Sequence, residues 1–189
     1  MLYSRQEPLN LKIPTAVTII GCGGIGSWIA LDLALVGVKK LNLIDNDIIE
    51  KTNLNRTPYK TSQIGEFKVA ALQELIEERR DIDVQVFTQK YEDIDEILKE
   101  KIKLVDYMID CRDTVQPPIP EAITVGYDGF KFTIDTNGGK NVWGGGNGYE
   151  TVPSFVGTPQ FIASIFTTMI VTKKIRGCSG DLQEVISEL

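Results

Sequence analysis

The first 115 residues alternate between two kinds of hydrophobic pattern. Ala16–Ile20, AVTII, is a continuous apolar run rich in β-branched residues, the pattern of a strand buried on both faces. A helical period follows, with Ile25, Ile29, Leu33 and Val36 on one face and Gly37 as its stop. Leu41–Asp45 is a second strand. Gly65–Arg80 predicts a helix with Phe67, Ala71, Leu75 and Ile76 facing inward, and Val84–Phe87 alternates like a strand. Ile94, Ile97 and Leu98 mark a short helix, and Leu104–Asp110, LVDYMID, is another buried strand. The β-α-β-α-β-α-β succession predicts an α/β fold with a doubly wound, Rossmann-like, mostly parallel sheet.

Outside that stretch the pattern is less regular. Residues 1–14 read as an extended arm closed by Pro14. After Pro117-Pro118, Ile123–Tyr127 and Phe130–Asp135 predict strands of a less regular extension, open to antiparallel pairing. Six glycines between Gly138 and Gly148 predict a loop. Gln160–Ile175 is apolar nearly all round, as a buried helix is. No repeat and no long linker divides the chain. The expected organisation over 1–189 is one domain: an arm (1–14), a parallel-sheet core (16–115) and a short C-terminal strand and helix extension (116–189).

Composition narrows the function classes. The chain is 42% hydrophobic and 24% charged, ordinary for a soluble globular protein. Its net charge of −6 argues against nucleic acid as the main partner. Phe161–Val171, the longest apolar stretch, is too short to span a membrane. Cys22, Cys111 and Cys178 form no CxxC pair, and residues 1–14 carry no signal-peptide pattern, so a reducing, cytoplasmic setting is expected. The sequence has 0 histidines, which removes the commonest acid–base group and zinc ligand. Any chemistry here works without imidazole.

The chemistry starts at Gly21-Cys22-Gly23-Gly24-Ile25-Gly26, between the first strand and the first helix. Gly21 permits the tight turn, Gly23 leaves backbone bare for a phosphate, and Gly26 permits close helix–strand packing. The N–H groups opening the helix then face the phosphates. Asp45, nineteen residues after Gly26 at the end of the next strand, is placed to accept from ribose hydroxyls. This much fits a nicotinamide dinucleotide as well as ATP.

The next segment separates the two. Residues 45–56 read DNDIIEKTNLNR, Lys68 lies in GEFKVAAL, and Asp110-Cys111-Arg112-Asp113 closes a strand. With Tyr3-Ser4-Arg5-Gln6 at the start and SFVGTPQFIASIF at 154–166, these segments resemble the ThiF/MoeB adenylyltransferase superfamily, which includes the ubiquitin-activating enzymes. The resemblance implies ATP as cofactor and adenylation of a carboxylate, such as the C-terminus of a ubiquitin-like protein or peptide. It implies ribose binding by Asp45, phosphate contacts by Asn53, Arg56 and Lys68, and Mg²⁺ held by Asp110. It also implies that Arg5 is an arginine finger, acting in trans in a homodimer. An ionised carboxylate attacks the α-phosphate without a general base, so the missing histidine is no obstacle.

The sequence also departs from the family. The zinc-binding cysteine pairs are missing, so no zinc is expected, and no cysteine lies between 112 and 177 to form a thioester. Cys178 is a remote candidate. Thr57 stands where the family often has Gln, and Arg112 where it often has Thr. Two other readings stay open: a nucleotide-binding subunit without chemistry of its own that scaffolds a partner, and an NAD-binding oxidoreductase.

Overall fold

In the computed structural model, which describes residues 2–113, 117–137 and 153–188, seven strands form one sheet. Their order is β3-β2-β1-β4-β5-β6-β7: β1 (Ala16–Ile20), β2 (Lys40–Ile44), β3 (Asp83–Phe87), β4 (Tyr107–Asp110), β5 (Ala122–Asp128), β6 (Lys131–Asp135) and β7 (Cys178–Asp181). β1 to β5 run parallel, while β6 and β7 continue the sheet antiparallel. The α/β doubly wound architecture is therefore present.

Helices cover both faces. α1 (Gly24–Val36) and α4 (Gly157–Val171) pack together over one face, with α2 (Lys68–Glu77) beside them. Ile29, Leu33, Leu72, Ile162 and Phe166 interlock there with Val17, Ile19 and Leu41 of the sheet, all 0% exposed. α3 (Glu96–Lys103) closes the opposite face through Ile102, against Ile20, Ile44 and Met108. Gly37 ends α1 with φ +106, a left-handed position that suits glycine.

Several boundaries differ from the sequence expectation. The helix expected from Gly65 starts at Lys68. Phe67 forms an isolated bridge with Ile48 instead of a helical turn, and it is 43% exposed rather than inward. In α3 the inward residue is Ile102, whereas Ile97 faces solvent. β4 is shorter than LVDYMID because Asp106 turns its carboxylate onto the Thr15 and Ala16 N–H groups at the start of β1. α4 runs from Gly157 to Val171, and Lys173 leaves it with φ 56.

Two elements were not expected: β7, and α5 (Leu182–Ser187), capped by the Asp181 carboxylate on the Gln183 N–H. The arm is not extended. Residues 7–9 form a 3₁₀ turn, the Gln6 amide donates to the Val36 carbonyl at 2.8 Å, and Tyr3 lies on Gly37. The glycine-rich 138–148 segment lies outside the described residues.

Candidate functional site

β1 is flanked by β2 on one side and β4 on the other, and the chain winds away from it in both directions. The crevice at the carboxyl ends of these strands is where ligands of open parallel sheets bind. The motif residues converge there: Gly21 follows β1, Asp45 follows β2, and Asp110 ends β4.

Each glycine of the turn has a different steric job. Gly21 has φ +88, and a Cβ on it would lie 2.8 Å from the Cys111 carbonyl carbon. A Cβ on Gly26 would lie 1.9 Å from the Gly21 oxygen, so α1 touches the strand end here. A Cβ on Gly24 would lie 2.7 Å from the Tyr127 hydroxyl. Gly23 alone of these faces open space, with nothing within 4 Å of its would-be Cβ. The bare face at the start of α1 is thus at Gly23, where an anion would meet the helix N–H groups.

Asp45 is tied to this turn. Its Oδ2 accepts from the Cys22 N–H at 2.6 Å and its Oδ1 from the Asp47 N–H at 2.8 Å. Each carboxylate oxygen keeps lone-pair capacity for a hydroxyl. Burial pushes the Asp45 pKa up, with Lys68 and the two N–H groups pulling the other way. The Tyr59 hydroxyl donates to the Cys22 carbonyl at 2.6 Å and holds the loop closed from behind.

Lys68 opens α2 and is 8% exposed. Its Nζ donates to Asp47 Oδ2 at 2.7 Å, and its N–H donates to the Asp47 carbonyl at 2.9 Å. Burial works to lower its pKa, but Asp45, Asp47 and Asp113 together outweigh burial and raise it. The ammonium is therefore held in its charged form beside Asp45 and Asp47.

Asn53 and Arg56 shape the intervening loop. Asn53 is buried, and its Oδ1 accepts from the Glu50 N–H in a capping box. Arg56 donates to the Thr52 carbonyl at 2.6 Å and to Asn55 Oδ1 at 3.1 Å, while Trp28 of α1 donates to its carbonyl at 2.9 Å. Arg56 also reaches Tyr127, whose hydroxyl pairs with Ser154. Thr57 turns its hydroxyl back to the Asn53 carbonyl.

Asp110 is 1% exposed, and its carboxylate is already paired. Arg112 grips it bidentately, Nε to Oδ1 at 2.8 Å and one terminal nitrogen to Oδ2 at 2.7 Å, and its own N–H adds 3.1 Å to Oδ1. The same guanidinium pairs with Glu92 and donates to the Pro117 carbonyl at 3.2 Å. The magnesium expected at Asp110 does not fit this arrangement. A divalent cation at this carboxylate would meet a fixed guanidinium on the same two oxygens. Among the described residues, no group of three or more Cys, Asp or Glu is placed to hold a metal.

Arg5 is not brought to this crevice. Its neighbours Tyr3 and Gln6 are fastened to the C-terminal end of α1 in their own chain, one helix length from Gly23. A 13-residue helix separates the two ends by about 20 Å. The cysteines are not activated thiols. Burial raises Cys22, Cys111 and Cys178, and Cys178 sits in β7 opposite Ile134, away from the glycine turn.

Other site residues were weakly legible in the sequence. Tyr127 had no signal, because its approach to Gly24 depends on how β5 is placed. Asp47 and Asp113 were weaker candidates, open to a turn role; Asp47 pairs with Lys68 and Asp113 acts on it electrostatically. Arg112 was visible only as a departure from a family pattern.

Comparison with known proteins adds independent findings. The family model described as the ThiF family matches residues 10–119. The adenylyltransferase and sulfurtransferase MOCS3 of Arabidopsis thaliana is 32% identical over 158 residues, covering 72% of this chain and 34% of that protein. The ATP-dependent ubiquitin transferase-like protein Cap2 of Enterobacter hormaechei subsp. hoffmannii is 32% identical over 111 residues, covering 58% of this chain and 18% of that protein. The chain therefore spans about a third or less of the length of these relatives. The crystal structure of E. coli MccB with ATP matches with a TM-score of 0.67 at 20% identity, over 89% of this chain and 64% of that one, a likeness of fold.

Proposed function

This chain belongs to the ThiF family, and we propose that it binds ATP in the crevice between β1 and β4 and adenylates a carboxylate. The substrate class is the C-terminus of a ubiquitin-like protein or peptide, and the products are an acyl-adenylate and pyrophosphate. The observation that carries this reading is the bare helix start at Gly23 with Asp45 and Lys68 fixed beside it. Relatives named as adenylyltransferases, and a fold neighbour solved with ATP, support it.

Each residue has a stated task in that reading. Asp45 accepts from the ribose hydroxyls, which its bond to Cys22 N–H holds in line with the glycine turn. The α1 N–H groups and Lys68 take the phosphates, with Arg56 on the far side beside Tyr127. Lys68 first gives up its contact with Asp47. Asn53 keeps the Arg56 loop in shape through its capping box. The incoming carboxylate is ionised and needs no base, so the chain supplies position and charge. Arg5, fastened far from its own crevice, completes the site of a second subunit in a two-fold homodimer. The setting is the cytoplasm, where the three cysteines stay reduced.

The closed Asp110–Arg112 pair favours a second reading, a nucleotide-binding subunit that scaffolds a partner without chemistry of its own. Isotope exchange between pyrophosphate and ATP decides between them, measured with peptides ending in Gly-Gly. Peptide-dependent exchange that is lost in Lys68→Ala supports adenylation. ATP binding without exchange supports the scaffold. Exchange undiminished in a folded Lys68→Ala protein overturns the assigned site.

A further inference from the structure

Asp110 ends a central parallel strand at the crevice and is 1% exposed, with its carboxylate paired within the chain. The partner is two residues away and holds it on both oxygens. Arg112 is itself secured on three sides, by Asp110, Glu92 and the Pro117 carbonyl. Its side chain is 10% exposed, so solvent competes poorly for these bonds. Burial opposes its charge, but Asp110 and Glu92 more than offset that and raise its pKa. A planar guanidinium matches a carboxylate in a way that a small hydrated cation does not. Mg²⁺ also demands near-ideal octahedral geometry and gives up its water reluctantly.

Building on the ATP reading, we propose that Arg112 is a built-in substitute for a metal ion at Asp110: the guanidinium neutralises this carboxylate and stays in place when nucleotide and Mg²⁺ are present. Any magnesium that accompanies ATP then arrives on the phosphates and draws nothing from Asp110. Arg112 is a positioning residue. It binds the end of β4 to the turn at Tyr91–Asp93 through Glu92, and so fixes one wall of the crevice.

The readout is the magnesium gain, defined as the ratio of ATP dissociation constants in EDTA and in excess Mg²⁺, measured by calorimetry. Asp110→Asn should leave this ratio at the wild-type value, because the carboxylate contributes nothing to the metal. Arg112→Thr should raise it about tenfold or more, because a buried carboxylate then stands unpaired and accepts the cation. The double variant Arg112→Thr/Asp110→Asn removes both charges, avoids the lone buried carboxylate and should return to the wild-type ratio. A fall of the ratio in Asp110→Asn, or an unchanged ratio in Arg112→Thr, overturns the proposal.

A second measurement needs neither variants nor nucleotide. The Arg112 Nε–H resonance of the wild-type protein should neither shift nor broaden when MgCl₂ alone is added. Saturable loss of that resonance overturns the proposal. Absence of ATP binding in every calorimetric arm would count against the ATP reading instead, and the magnesium titration would still decide the fate of Arg112.

Discussion

At Gly26 and Gly23 the same substitution has opposite meanings. An Ala Cβ at Gly26 would sit 1.9 Å from the Gly21 oxygen, inside any permitted contact. Gly26→Ala should therefore destabilise the fold by about 3 kcal/mol, the upper end for overpacking, read as a lower midpoint in urea. At Gly23 the Cβ has open space, so Gly23→Ala should cost under about 1 kcal/mol in the same assay. Its effect should appear as ATP binding weakened about tenfold, because the added methyl occupies the open space in which the anion would reach a helix N–H. A Gly23→Ala protein that binds ATP normally would move the phosphates away from this turn. These glycines, Asp45 and Lys68 were legible because their roles lie within short segments of sequence. Tyr127 and the Asp110–Arg112 grip were not, since one depends on strand order and the other on which rotamer a long side chain adopts.

Among the elements, the parallel core was legible because β1 is an apolar, β-branched run that leads straight into the glycine turn and α1 ends at a glycine. β7 was not, because Cys178–Asp181 shows no apolar alternation and is a strand only through pairing with β6. Phe67 misled because a hydrophobic residue at the N-cap, immediately before a helix, looks like part of it. The α1–α4 contact gives a pH prediction. Asp32 of α1 is half-buried and accepts from Ser164 of α4 at 3.4 Å. Burial raises its pKa, and the Ser164 bond offsets this only in part. For a carboxyl raised in the folded state, the favourable state is the protonated one. Its stabilising contribution is full below the unfolded value near 3.8 and is lost as pH rises through the folded value. Asp32→Asn should match the wild type in thermal stability near that value. It should exceed the wild type at neutral pH by under about 1 kcal/mol. A variant less stable at neutral pH than at acid pH, relative to wild type, would contradict the assignment.

For the whole molecule, the arm determines what kind of assembly is possible. Arg5 lies about one α1 length, roughly 20 Å, from Gly23 of its own chain, so cis action would need the Tyr3 and Gln6 contacts to break. Arg5→Ala and Lys68→Ala proteins should each lack pyrophosphate exchange alone and regain it when mixed. Failure to complement, with subunit exchange verified by mass spectrometry, would end the trans assignment. No helix among the described residues is long and apolar enough to cross a membrane. The central claim, that this crevice is an ATP site, is tested most directly by calorimetry with ATP, NAD and NADP on the wild type and on Lys68→Ala. The prediction is that ATP binds, neither dinucleotide does, and folded Lys68→Ala loses about tenfold or more in ATP affinity. Dinucleotide binding without ATP binding, or ATP affinity unchanged in Lys68→Ala, would contradict it.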